Sequence, residues 1–253
     1  MRPNNVKTIW REGRNAVAGW LSTADLYNAE IMANAGFDAL VLDMQHGLGR
    51  GPDRAAAVIQ VISSTNTVPF VRVPWNDPVY LQYVLDAGAY GVIVPLVNTP
   101  ADARKAGAAC RYPPEGTRSI GQGRTRFYAG PDYFQKANEE LVCLVMVETE
   151  EALANLNEIA RTPGIDGFYI GPNDLALSLG IPTANCTAHP RHQAARQRVV
   201  EVARDHGLVA GCHAASPEEA LARFEEGFRF CPVGSDVGLI ANGARAALQK
   251  MGR

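Results

Sequence analysis

Short apolar runs rich in β-prone residues alternate along the chain with longer stretches of helical pattern. The runs fall at residues 16–21, 39–42, 70–73, 91–95, 142–147, 167–170, 208–211 and 228–233. They do not alternate apolar with polar positions, so each reads as a strand buried on both faces of a parallel sheet. The stretches between them carry helix punctuation. Thr23 is placed to cap a helix that Gly36 ends, and Asp77-Pro78 opens one that Gly88 ends. Thr99-Pro100 and Thr149-Glu150-Glu151 start two more, and Ser216-Pro217-Glu218-Glu219 has the spacing of a capping box. Eight strand-helix units predict a (β/α)8 TIM barrel, with a doubly wound open sheet as the runner-up. No linker or low-complexity segment interrupts them, so one domain is expected over residues 1–253.

Composition narrows the function. Of 253 residues 47% are apolar and 20% charged, and the formal net charge of -2 lacks the basic excess of a nucleic-acid binder. The first twenty residues carry Arg2, Lys7, Arg11, Glu12 and Arg14 with no long apolar run. Neither a signal peptide nor a membrane span is expected, and a cytoplasmic address follows. Cys110, Cys143, Cys186, Cys212 and Cys231 are odd in number and form no CxxC pair, so they read as reduced thiols rather than disulfides or a zinc site.

The chemistry is organised around residues 167–180, GFYIGPNDLALSLG. A short strand is broken by Gly171-Pro172, and Asn173-Asp174 opens a helix that Gly180 stops. Taken alone, Asp174 reads as a helix-start acid held by the dipole. A barrel changes that reading, because its chemistry sits where strands lead into helices. Trp20 stands near the end of the first strand, Asp43 and His46 after the second, Arg72 in the third, Glu148 after the fifth, Asp174 after the sixth and His213 after the seventh. Glu148 and Asp174 end consecutive strands, close enough to share one ion, and two carboxylates suit Mg²⁺ or Mn²⁺ rather than zinc. Asp43, three residues before His46, is placed to orient and charge it as a general acid or base. Arg72 lies inside an apolar strand and needs a partner, either a structural carboxylate of the barrel or a substrate carboxylate or oxyanion. Lys7, Lys105, Lys136 and Lys250 all lie outside the strands and their ends, leaving no nucleophile for a Schiff base. Gly234-Ser235-Asp236 is a weak phosphate-nest signal, and His213 reads as a pocket wall. His189, His192 and His206 read as solvated. Residues 111–126, with four arginines among Pro and Gly, read as an exposed cationic loop, solvated or reaching a neighbouring subunit, and the same choice applies to Asp86.

With these residues in view the chain resembles the HpcH/HpaI aldolases, the metal-dependent pyruvate aldolases. The likeness runs over about residues 19–243 and rests on VLDMQHG, FVRVPWNDP, LDAGAYGVIVPLVNT, RYPPEGTRSIG, VETEEAL, GFYIGPNDLALSLG and VGSDVGL, in that order. It implies that Glu148 and Asp174 hold a divalent ion (Mg²⁺, Mn²⁺ or Co²⁺) and that Arg72 contacts the 2-oxo acid. His46 paired with Asp43 would be the acid/base group, and backbone near Asn173 and Asp174 would hold the carboxylate. Trp20 and His213 would line the aldehyde side, and Asp86 would come from an adjacent subunit of a homohexamer whose barrels exchange their C-terminal helix. The chain departs from many members at Gln45, where they have Glu, and at Met146, where they have Gln.

The expected reaction is reversible aldol cleavage of a 4-hydroxy-2-oxo acid to pyruvate, or hydroxypyruvate, and an aldehyde. The alternatives are a metal-dependent decarboxylase of an oxaloacetate-like acid, which releases CO₂, and a non-catalytic oxo-acid-binding barrel. A phosphosugar enzyme using the Gly234 loop is a more distant one.

Overall fold

In the computed structural model, which describes every residue except Arg50 and Gln122, eight parallel strands close into a barrel in sequence order. They are β1 (Ala16–Leu21), β2 (Ala39–Asp43), β3 (Val68–Arg72), β4 (Gly91–Val94), β5 (Val142–Val147), β6 (Gly167–Ile170), β7 (Val209–Cys212) and β8 (Phe230–Ser235). Pairing of Ala16 with Phe230 and Val17 with Cys231 joins β1 to β8 and excludes the open sheet. β1, β5 and β6 have the predicted bounds, and the other five strands shift by one or two residues at one or both ends.

Large and small side chains interlock inside the barrel. Phe70 and Phe230 stack with ring centroids 5.0 Å apart, and Tyr169 meets Phe230 edge-on at 6.3 Å. Phe70 lies opposite Gly91, where a Cβ would come within 2.1 Å of the ring, so glycine is required there. Each such fully buried ring contributes about 3 kcal/mol through the area it removes from water. A helix the strand pattern did not announce, Asn5–Arg11, closes the end of the barrel where the strands begin. Asn4 caps it and bonds the carbonyls of Tyr90 and Glu140, and Trp10 bonds that of Arg229.

Most caps lie where the sequence puts them. Asp77 and Thr99 cap Pro78–Asp86 and Pro100–Cys110, the latter with a full capping box to Asp102. Ser216 caps Pro217–Glu225, but Glu219 returns its bond to Ala215 rather than to Ser216. Three expectations are corrected. Asp25, not Thr23, caps the helix Leu26–Ala33, because Asp236 captures Thr23 from the other end of the chain. The segment 111–126 is not simply a solvated loop. Arg111 is buried against Asp166, and Arg118 is buried against Asp86 and the rings of Tyr112 and Tyr133. His192 is buried, not solvated, for reasons given below. The five cysteines are all buried and unpaired as thiols. Among the described residues no helix is long and apolar enough to cross a membrane.

Candidate active site

Strand register assembles the rim where the strands end. Asp43 ends β2 and Arg72 ends β3, and the two are paired in register. Arg72 donates from Nε and Nη2 to the two oxygens of Asp43 at 2.9 and 2.6 Å. Asp43 Oδ1 also accepts the main-chain amides of Gln45 and His46, at 3.0 and 3.1 Å, and Trp20 Nε1 approaches Oδ2 at 3.4 Å. Asp43 thus shapes the turn that carries His46 through its backbone, rather than through the ring. Burial alone would raise Asp43, but the hydrogen bond and charge of Arg72, with the His46 and Gln45 amides, hold it below the usual carboxylate range. Of the two partners considered for Arg72, the structural carboxylate takes Nε and Nη2. Nη1 makes no hydrogen bond to the described residues, so the guanidinium, 4.9 Å over the Trp20 ring, still has a donor for a ligand.

The acidic half of the site is built the same way. Val147 pairs with Ile170, so Glu148 and Gly171 leave the sheet side by side. Glu148 is buried, with Oε1 accepting the Leu96 amide at 2.7 Å. Leu96 itself adopts a left-handed φ of 53°, a conformation uncommon for a side chain of its kind. A Cβ placed on Gly171 would stand 2.8 Å from Glu148 Oε2 and 3.6 Å from Asp174 Oδ2, so the absent side chain is what leaves space between the two carboxylates. Asp174 lies in the first turn of the helix Pro172–Ser178, which Gly171 opens without a side-chain cap. Burial raises Glu148, with Asp174 adding to the rise against the Leu96 amide and Arg72. Two converging carboxylates, one buried and resisting its own charge, fit a hard divalent cation. Among the described residues no third His, Cys, Asp or Glu joins them, so water or substrate oxygen would complete a shell.

A cavity of about 250 Å³ gathers Trp20, His46, Arg72, Asn173, Asp174 and His213, six of the residues the sequence singled out. Asp43 and Glu148 lie directly behind it through the contacts above. Asp86 does not join them: it ends the helix before β4, at the opposite end of the barrel, and pairs with Arg118 at 2.6 Å. In Gly234-Ser235-Asp236 the side chains are engaged within the protein: Asp236 accepts from the amides of Ser22 and Thr23, and Ser235, which lines the cavity, caps the last helix. The sequence reading missed Tyr169, which shares the inward face of β6 with Gly167 and Gly171. Its hydroxyl lies 3.3 Å from His213 Nδ1, and Trp20 stands edge-on to that imidazole at 4.7 Å. Burial, then the charge of Arg72, push His213 down to about 4 against the pull of Asp43, so its ring is neutral at physiological pH. Met146 also lines the cavity, with its methyl beside Gly171. A second cavity of about 260 Å³ shares Pro172, Asn173 and His213 with the first and extends toward Thr183, Asn185, Thr187 and Glu219.

The profile of the HpcH/HpaI aldolase/citrate lyase family matches residues 17–243. The chain is similar to a hydroxypyruvate/pyruvate aldolase of Rhizorhabdus wittichii, with 40% identity over 97% of each chain. It is 37% identical to a 4-hydroxy-2-oxo-heptane-1,7-dioate aldolase of Escherichia coli, over 98% of this chain and 95% of that one. Among solved structures, an HpcH/HpaI aldolase/citrate lyase family protein from Burkholderia cenocepacia superposes with a TM-score of 0.91 at 32% identity, over 99% and 100% of the two chains.

Proposed function

The chain belongs to the HpcH/HpaI aldolase/citrate lyase family and is a carbon-carbon lyase of the aldolase kind, and we propose that it reversibly cleaves a 4-hydroxy-2-oxo acid to pyruvate or hydroxypyruvate and an aldehyde. The observation that carries this reading is the placement of Glu148 Oε2 and Asp174 Oδ2 about the bare Cα of Gly171, in the cavity that also holds Arg72 and His46. A divalent cation held by the two carboxylates would supply Lewis-acid polarisation of the substrate's 2-oxo group.

The chain's own residues do the rest. Arg72 offers Nη1 to the oxo acid, and the amides at the start of the helix Pro172–Ser178, near Asn173 and Asp174, receive its carboxylate. His46 takes the proton of the 4-hydroxyl as the bond between C3 and C4 breaks and C4 becomes the aldehyde carbon. The electron pair of that bond passes toward the 2-oxo oxygen, whose growing negative charge Arg72 faces. C3 then takes a proton to become the methyl group of pyruvate. Trp20 and neutral His213 bound the aldehyde side, with the second cavity beyond His213 receiving a longer aldehyde. In synthesis the roles reverse.

The proposal covers residues 1–253 as one aldolase domain, at a cytoplasmic address, in a homohexamer. Support for assembly comes from the helix Asp236–Lys250 and the residue after it, where Val237, Leu239, Ile240, Leu248 and Met251 are exposed. Exchange of this helix would cover them, and Asp86 would serve a neighbouring subunit's site.

The test is deuterium exchange into the methyl group of pyruvate, with Mg²⁺, Mn²⁺ or Co²⁺ added, after chelation, and in Asp174→Ala. Exchange that requires both the ion and Asp174 is expected. Bound pyruvate with no exchange under any ion would overturn the pyruvate-enolate mechanism and point to a different donor, such as hydroxypyruvate, or to an oxo-acid-binding barrel.

A further inference from the structure

Beneath the rim runs a polar chain, buried at His192 and Arg196 and reaching the surface at Glu226, that the proposed reaction does not use. His192, on the helix Pro190–Asp205, is fully buried. Its Nε2 lies 3.0 Å from the main-chain oxygen of Pro172, and its Nδ1 lies 2.8 Å from Arg196 Nη1. A guanidinium can only donate, so Nδ1 is the accepting nitrogen and the ring proton sits on Nε2, where it donates to Pro172. Arg196 is buried too, and its Nη1 also donates to the Thr187 carbonyl at 2.9 Å. Its Nε and Nη2 grip both oxygens of Glu226, each at 2.9 Å. The chain therefore runs from Glu226, at the end of the helix Pro217–Glu225, through Arg196 and His192 to the residue that opens the Asp174 helix.

Stability gives little reason for such an arrangement. Buried ionic groups can often be replaced by apolar side chains of similar volume without loss, because desolvation offsets the attraction gained. What apolar packing cannot supply is direction. Pro172 stands two residues before Asp174, and from outside the helix its carbonyl accepts the His192 Nε2 proton at 3.0 Å and a longer, weaker bond from Cys186 Sγ at 3.7 Å. We propose that His192 is a positioning residue, whose bond to Pro172, braced by Arg196 and Glu226, sets the direction in which the first helical turn presents Asp174. The inference rests on the ion-binding role proposed for Asp174 and extends it to a residue that touches neither ion nor substrate.

The test uses the whole protein without substrate and compares wild type, His192→Leu and His192→Gln. Leu keeps much of the bulk and loses both bonds, whereas Gln can accept from Arg196 and donate to Pro172. Mn²⁺ affinity is read directly by the electron paramagnetic resonance of the unbound ion, and amide hydrogen exchange is followed over residues 171–176. His192→Leu is expected to weaken Mn²⁺ binding by about tenfold or more and to speed exchange in that segment, with most of both effects rescued in His192→Gln. Folded His192→Leu with wild-type affinity and exchange overturns the proposal. So does an equal loss in Leu and Gln, which traces the effect to packing. Should His192→Leu not fold, Glu226→Gln takes its place, since Glu226 reaches solvent and its substitution loosens Arg196: weaker Mn²⁺ binding supports the proposal and unchanged binding overturns it. Wild-type protein that binds no Mn²⁺ removes the metal role of Asp174 instead, and the exchange rates alone then decide whether His192 holds the loop.

Discussion

Arg72 and Asp43 face each other across paired positions of β3 and β2, joined by two hydrogen bonds of 2.9 and 2.6 Å. The pair is little exposed, so removing one partner leaves a charge with poor access to water. Asp43→Ala is expected to destabilise the protein by about 3 kcal/mol, the lower part of the range for broken buried pairs. It should also raise the KM for pyruvate, because the guanidinium loses the partner that fixes Nη1. Urea unfolding and steady-state kinetics read the two effects, and a loss below about 1 kcal/mol would mean that the pair behaves like a solvated one. The folded-state value of Asp43 is lowered, so its stabilisation is complete above about pH 4 and lost only as the pH falls through that lowered value.

His213 acts with the same sign in a higher pH window, for a different reason: burial disfavours its charged form, whereas Arg72 favours that of Asp43. The folded-state value of His213 lies at about 4, whereas an unfolded histidine protonates near about 6.5. The unfolded chain therefore binds more protons between these values, and the fold loses stability as the pH falls through that window. His213→Gln should flatten the dependence of unfolding free energy on pH between about pH 6.5 and about pH 4. Equal slopes in variant and wild type would show that the ring titrates normally and is not shielded by Trp20 and Tyr169.

These two pairs also mark how far the sequence could be read. Strands buried on both faces leave an apolar signature, so the barrel was legible, and with it the gathering on one rim of Asp43, Arg72 and Glu148 at or just past strand ends and Asp174 in the helix turn that follows. Partnerships across long stretches of chain were not. Asp236 takes Thr23 from 213 residues away, Asp166 takes Arg111 from 55, and Arg196 finds Glu226 at 30. A local pattern shows that a side chain is polar, but not that a distant carboxylate will bury it. Tyr169 was hidden differently, since an aromatic residue in an apolar strand reads as core until its hydroxyl is found facing His213.

Glu148 predicts how the ion and stability are linked. Burial first, and then Asp174, make its ionised form costly, so the protein without an ion loses stability as the pH rises from the ordinary carboxylate range through the raised value. A bound cation reverses that penalty. Mn²⁺ at about a hundred times its Kd should stabilise the wild type by about 2.7 kcal/mol, seen as a chelator-reversible rise in Tm. Glu148→Gln should match or exceed the wild type without an ion and gain nothing from Mn²⁺. A variant that still gains the full rise would place the ion elsewhere.

Gly171 gives the sharpest test of the space between the carboxylates. Its φ of -91° is ordinary for any residue, so Gly171→Ala acts through contact and not through backbone strain. The new methyl would meet Glu148 Oε2 at 2.8 Å and the Met146 methyl at 2.9 Å. Glu148 cannot simply swing aside, because Oε1 is anchored to the Leu96 amide at 2.7 Å. Met146 is itself buried. The variant should therefore fold, bind Mn²⁺ some ten- to a hundredfold more weakly (roughly the effect of disturbing a ligand's support) and lose pyruvate exchange in proportion. Gly91→Ala is the contrast: a Cβ there meets the Phe70 ring at 2.1 Å, so it should cost about 1–3 kcal/mol of stability or more while sparing Mn²⁺ affinity in whatever fraction folds. If Gly171→Ala instead binds Mn²⁺ as the wild type does, the ion does not sit between Glu148 and Asp174, and the proposed site must move along the rim.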